Sequence, residues 1–142
     1  MSALMQNDSY AVGQLTPSIV LYEPSFEGWL SAVFYVYANR LQNDMSLKLT
    51  AQDCYMPSLI AQTTSVATDE DKAERVLVKL NILLGRSGMR NILWGFLSEK
   101  EDIGTTLFRV VKYAIDYPNR QIMQDLGNLD VLELVQTVKS VG

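Results

Sequence analysis

The stretch Ser25-Phe-Glu-Gly-Trp-Leu-Ser-Ala-Val-Phe-Tyr-Val-Tyr-Ala-Asn-Arg-Leu41 decides the fold class. Phe26, Trp29, Leu30, Val33, Phe34, Tyr37 and Leu41 recur at three- and four-residue spacing, which predicts a helix over 26–41 with Ser25 as its N-cap. Tyr35 and Val36 fall outside that stripe, so the helix is apolar around much of its circumference and belongs in the middle of a core. Aromatic side chains bury large areas and dominate packing, so their density here is read as core and not as a cofactor box.

Upstream, Ile19-Val-Leu-Tyr22 lies between Pro17 and Pro24 and predicts one strand of about four residues, whose open edge requires a partner. Residues 1–16 are polar and aperiodic, the pattern of a flexible N-terminal tail, and lack the basic start and apolar run of a signal peptide. Downstream, the periodicity fails over 42–67. Within that long connection, Met56-Pro-Ser-Leu-Ile60 is expected to dock as an extended segment over the helices.

Thr68-Asp-Glu-Asp71 predicts a helix start, with Thr68 as the cap and three carboxylates facing the positive end of the helix dipole. Ala73, Val76, Leu77, Leu80, Leu83 and Leu84 follow on one side until Gly85. Ser87 is then expected to cap a third helix carrying Met89, Ile92, Leu93, Phe96 and Leu97. The link over 85–88 is so short that the two helices must be antiparallel neighbours or form a sharp corner. A fourth helix over 103–116 stops before Pro118, a helical turn follows near 122–126, and a last helix spans 129–141. Asn128 is its expected cap, and Leu132, Val135 and Val138 its inner face. The fold class is thus mainly all-α: a compact bundle of five to six helices with one short N-terminal strand, over 17–142.

Composition removes whole classes of chemistry. At 142 residues the chain can bury roughly 68–70% of its unfolded surface, enough for one real core. It contains no histidine, so no imidazole base, no Ser-His or Cys-His pair and no histidine metal ligand exists in it. Cys54 is the single cysteine: it can form no disulfide within the chain, points to a reducing, cytoplasmic address, and lacks an imidazole to generate its thiolate. Asp69, Glu70 and Asp71 read as capping residues and not as metal ligands, and Glu23 and Glu27 as solvated helix-start carboxylates and not as an acid–base pair. Gly85-Arg-Ser-Gly88 has neither the preceding strand nor the lysine of a phosphate loop. No catalytic residue, metal or cofactor is therefore expected. The longest apolar run, over 29–38, is half of the roughly 20 residues a membrane helix requires.

The net charge of −4 disfavours a broad phosphate-binding surface. Its distribution does not: between Arg75 and Lys112 there are seven basic residues and three acidic ones. Arg75, Lys79, Arg86, Arg90, Arg109 and Lys112 are the candidate contacts to DNA or to a partner, the alternative being that they are the solvated sides of amphipathic helices. The last helix is still in full apolar pattern at Val141, which leaves dimerisation open.

Leu21-Tyr-Glu-Pro-Ser-Phe-Glu-Gly-Trp-Leu-Ser-Ala-Val-Phe34, Thr68-Asp-Glu-Asp-Lys-Ala-Glu-Arg-Val76 and Phe96-Leu-Ser-Glu99 resemble segments of a bacterial family known as probable DNA metabolism proteins, a domain of unknown function. Met56-Pro-Ser-Leu-Ile60 and Val138-Lys-Ser-Val-Gly142 fall in the same order, so the resemblance covers about residues 19–142 in five pieces. It implies a role in DNA modification or repair beside a radical S-adenosylmethionine (radical SAM) protein, some longer relatives being fused to a uracil-DNA glycosylase domain. The motif positions Phe26, Glu27, Gly28, Trp29, Lys72, Arg75, Phe96 and Glu99 are expected to be structural. Family members continue beyond the final glycine into a histidine-rich region, so the resemblance covers their N-terminal helical half only. Three readings follow: a non-catalytic helical module that contacts a partner protein or DNA, a protein-interaction or regulatory domain without nucleic-acid contact, and a fragment of a nucleobase-modifying enzyme whose active site lies in the C-terminal half.

Overall fold

The computed structural model describes residues 18–56 and 61–141. Its elements are β1 (Ser18–Tyr22), α1 (Phe26–Ala38), β2 (Lys48–Ala51), β3 (Gln62–Val66), α2 (Glu70–Leu97), α3 (Ile103–Asp116) and α4 (Leu129–Val141), with single 3-10 turns at Gln52–Cys54 and Ile122–Gln124. The expected tail over 1–16 and residues 57–60 of the Met-Pro-Ser-Leu-Ile segment lie outside the described residues.

The single expected strand is the centre of a three-stranded sheet of order β2-β1-β3. Both neighbours run parallel to β1, with Val20 opposite Leu49 on one side and Thr64 on the other. β1, α1 and β2 form a βαβ unit, the connection that parallel pairing requires. The two outer strands escape a reading by hydropathy because β3 is polar and largely exposed, while β2 buries only Leu49. The free edge of β2 is closed by α3: the Leu49 N–H donates to Thr105 Oγ1 at 3.0 Å, and the Thr105 hydroxyl lies 3.3 Å from the Leu49 carbonyl oxygen.

α1 crosses the sheet and is buried over most of its circumference, with Trp29, Leu30, Ala32, Val33 and Val36 in the core. Ser25 caps it, its hydroxyl accepting from the Gly28 N–H at 2.9 Å. The helix ends at Ala38 and not at Leu41, because Arg40 turns into the left-handed region at φ 56°. Leu41 N–H then donates to the Val36 carbonyl and Arg40 N–H to that of Tyr37, a paired closure that satisfies the last carbonyls.

Among the described residues there are four helices and not five to six. The expected second and third helices are the two arms of α2, continuous except at Gly85, whose φ of 72° and ψ of 179° kink it. That combination is almost confined to glycine. Ser87 lies inside the helix and does not begin it, and the expected segment near 122–126 shrinks to one 3-10 turn. The cap of α2 is Asp69, not Thr68: its carboxylate accepts from Asp71 and Lys72 N–H, while Thr68 N–H donates to Glu23. α3 and α4 have the expected limits, and Asn128 accepts from the Asp130 and Val131 N–H groups at the start of α4. The buried side of α4 is Val131, Leu134 and Thr137, one position earlier than the expected Leu132, Val135 and Val138, which are half-buried.

Candidate functional site

The basic residues of the sequence divide into two groups. Arg75, Lys79, Arg86 and Arg90 all stand exposed on α2, two on each side of the Gly85 kink. From Arg75 to Leu97 the helix contains these four basic residues and no acidic one. Among the described residues none of the four forms an ion pair. Arg75 and Lys79 are one helical turn apart, as are Arg86 and Arg90, so each arm presents a close pair of cations.

Arg109 and Lys112, on α3, are each paired with a carboxylate. Arg109 lies 3.8 Å from Asp130 on α4, and Lys112 2.7 Å from Asp116 one turn on. They do not join the α2 residues as one basic face, and their ion pairs are the difference. The Asp130 carboxyl is held above its ordinary pKa, burial outweighing the opposing pull of Arg109.

Beside Arg90 the second arm of α2 exposes apolar side chains. Trp94 stands one turn from Arg90 and is 43% exposed, flanked by Leu93 and by Leu97 at 55%. Val78 and Ile82 are likewise exposed on the first arm, so the outer side of α2 mixes guanidinium and ammonium groups with an indole and aliphatic side chains. Leu93 and Leu97, expected in the core, are thus exposed beside Trp94, which the apolar spacing does not single out. Its position one turn from Arg90 was the available signal.

Most of the motif positions gather at the junction of α1 with α2. Phe26 stacks on Trp29 with ring centroids 5.8 Å apart and meets Phe96 edge-on at 5.4 Å. The Trp29 indole N–H donates to the Gly104 carbonyl oxygen at 3.0 Å, tying α1 to the start of α3. Gly28 packs so tightly on the Glu23 carbonyl that a Cβ has no room. Lys72 places its ammonium 5.5 Å from the centre of the Phe34 ring. Ser31 binds the two segments together, its hydroxyl accepting from Asp69 N–H at 3.0 Å and donating to the Glu27 carbonyl oxygen. Glu27 and Arg75 are exposed, and Glu99 is exposed in the left-handed region at φ 54° just beyond the end of α2.

Cys54 is exposed beside Asp53 after β2, and partial desolvation together with Asp53 and Glu99 raises its pKa. A raised thiol pKa means less thiolate, the opposite of what a nucleophile needs. The carboxylate of Glu23 is occupied by Thr68, whose side chain and N–H, the latter at 2.8 Å, lower its pKa and leave it an anchor for α2. Among the described residues no three His, Cys, Asp or Glu side chains converge as metal ligands, and no helix is long and apolar enough to cross a membrane. Compared with family models, curated proteins and solved structures, the chain has no match.

Proposed function

We propose that this chain is a non-catalytic helical module of a DNA modification or repair system, and that it contacts DNA through the outer side of α2. The observation that carries the reading is the run from Arg75 to Leu97: four exposed cations with no acidic residue among them and no ion pair to a described residue. Unpaired cations release counterions when they meet phosphate, which provides affinity without sequence readout. An exposed indole one turn from Arg90 adds a platform on which an unpaired base can stack. The resemblance to DNA metabolism proteins, with a radical SAM protein as their companion, supports the same setting.

The test is titration of labelled single- and double-stranded oligonucleotides with the whole chain at increasing salt. Four phosphate contacts give a slope of about −3 to −4 for log affinity against log salt on duplex DNA. Arg86→Gln together with Arg90→Gln should flatten it by about 2. Absence of binding at low salt overturns the reading.

The exposed Leu93, Trp94 and Leu97 favour a second reading, in which the same side of α2 docks a protein partner without DNA. Co-purification with the radical SAM protein that survives nuclease treatment and is lost in Trp94→Ala supports it.

A further inference from the structure

A cavity of about 250 Å³ opens where the carboxyl ends of β1 and β2 meet the connection between α2 and α3. The crevice beyond the carboxyl ends of parallel strands is where open α/β sheets hold ligands. Tyr22, the last residue of β1, lines it and is only 3% exposed. Its hydroxyl has no hydrogen-bond partner among the described residues, and unlike the hydroxyl of Tyr37 it is not sealed from solvent. It faces the cavity beside Gly104, where a Cβ would lie 2.7 Å from the hydroxyl oxygen and 2.7 Å from the Leu49 carbonyl oxygen. Glycine at 104 therefore keeps the floor of the cavity open. With no protein partner among the described residues and its only opening at the cavity, this hydroxyl is free to hydrogen-bond to a group that enters and displaces water.

The lining defines the chemistry of that partner. Asp53, Glu99, Glu101 and Asp102 surround the opening. Lys100, the single basic residue among the described lining, is engaged by α4, with its ammonium 4.0 Å from Glu133 and 3.4 Å from Thr137 Oγ1. Phe96 and Ile103 form apolar walls. An anion meets four carboxylates there, and a metal ion finds no converging ligand set among the described residues.

We propose that this cavity binds an organic cation, an ammonium or guanidinium group on an apolar stem. The Tyr22 hydroxyl oxygen accepts from it at the floor, the rim carboxylates face its charge, and the stem packs on Phe96. Burial, with Cys54 and Asp53 nearby, pushes the Tyr22 pKa up to about 12, so the hydroxyl is neutral across the physiological range. A small free amine or guanidine presents this chemistry, and so does a lysine or arginine side chain of another protein. The site is separate from the basic side of α2 and opposite to it in charge.

Titration of the ¹⁵N-labelled chain with butylguanidinium, butylammonium, butyrate and an acetylated Ala-Arg-Ala amide, followed by NMR, tests it. Either cation should move the amide signals of Thr50, Asp53 and Gly104, and butyrate should not. Tyr22→Phe, which removes only the hydroxyl, should weaken cation binding about fivefold. Asp53→Asn, at an exposed position, should weaken it by about twofold to fivefold and keeps the test open if the core variant does not fold. Tighter binding of the peptide than of butylguanidinium assigns the site to a protein side chain, and the reverse assigns it to a small molecule. No response to any cation, an equal response to butyrate, or unchanged affinity in Asp53→Asn overturns the proposal.

Discussion

Arg86 and Arg90 on α2, and Arg109 and Lys112 on α3, are basic residues on amphipathic helices of one core, yet only the second pair stands within ion-pair distance of carboxylates. Lys112 is matched within its own helix, by Asp116 one turn on. Arg109 is matched by Asp130, which the fold brings in from the start of α4. No acidic residue lies in α2 between Arg75 and Leu97, and none forms an ion pair with its cations among the described residues. The lesson is that a local excess of basic residues overstates the charged surface wherever a neighbouring element contributes carboxylates. It is a fair measure where the helix faces solvent alone.

The comparison breaks or sharpens under substitution. Replacing Arg75, Lys79, Arg86 and Arg90 together by Gln should lower DNA affinity at low salt by about 100-fold or more, whereas Arg109→Gln with Lys112→Gln should change it by less than about twofold. Equal losses measured by anisotropy would erase the distinction between the two helices. Gly85→Ala has space for its methyl group but not the backbone freedom, so a loss of about 1–3 kcal/mol is expected in denaturant unfolding, with weaker DNA binding as the two arms change direction. Retained stability would show that the kink is not needed.

Asp69→Ala removes the cap of α2 and should cost about 1 kcal/mol without altering the salt slope. The smallest change in stability, under about 1 kcal/mol, is expected for Asp130→Asn, because its partner Arg109 is half exposed and the two groups stand 3.8 Å apart. That variant frees Arg109 and should steepen the salt slope by about 1 if the released guanidinium reaches phosphate. Its pH profile carries a sign. A carboxyl whose pKa is raised by folding stabilises the protein below its ordinary pKa and loses that contribution as pH rises through the raised value. Asp130→Asn should therefore flatten the decline in stability just above the ordinary carboxylate range.

Helices were legible because their signals are local. The three- and four-residue spacing of α1, the Ser25 and Asn128 caps and the limits of α3 and α4 all depend on residues within a turn or two of each other. The departures are also local in kind. The expected break at Gly85 is present as a non-helical residue, but the two arms meet there directly at a kink with no separate Ser87 cap, and Arg40 ends α1 early in a conformation more often adopted by glycine. β2 and β3 were not legible, since a short polar strand is defined by the backbone it pairs with and not by its own hydropathy. Of the site, the basic residues could be named but not sorted, and the unpartnered hydroxyl of Tyr22 left no trace in its surrounding residues.

By itself, then, the amino-acid sequence determined the apolar faces of the helices, most of their limits and the absence of imidazole chemistry, because each follows from residue type or from spacing along one turn. The tertiary structure alone decided that β1 is the centre of a parallel sheet, that Arg109 meets a carboxylate from α4, and that Tyr22 faces an acidic cavity. These depend on groups far apart in the chain, such as Thr105 and Leu49 at a separation of 56 residues. Pairing at that distance is settled by the packing of the whole core, which no local pattern encodes.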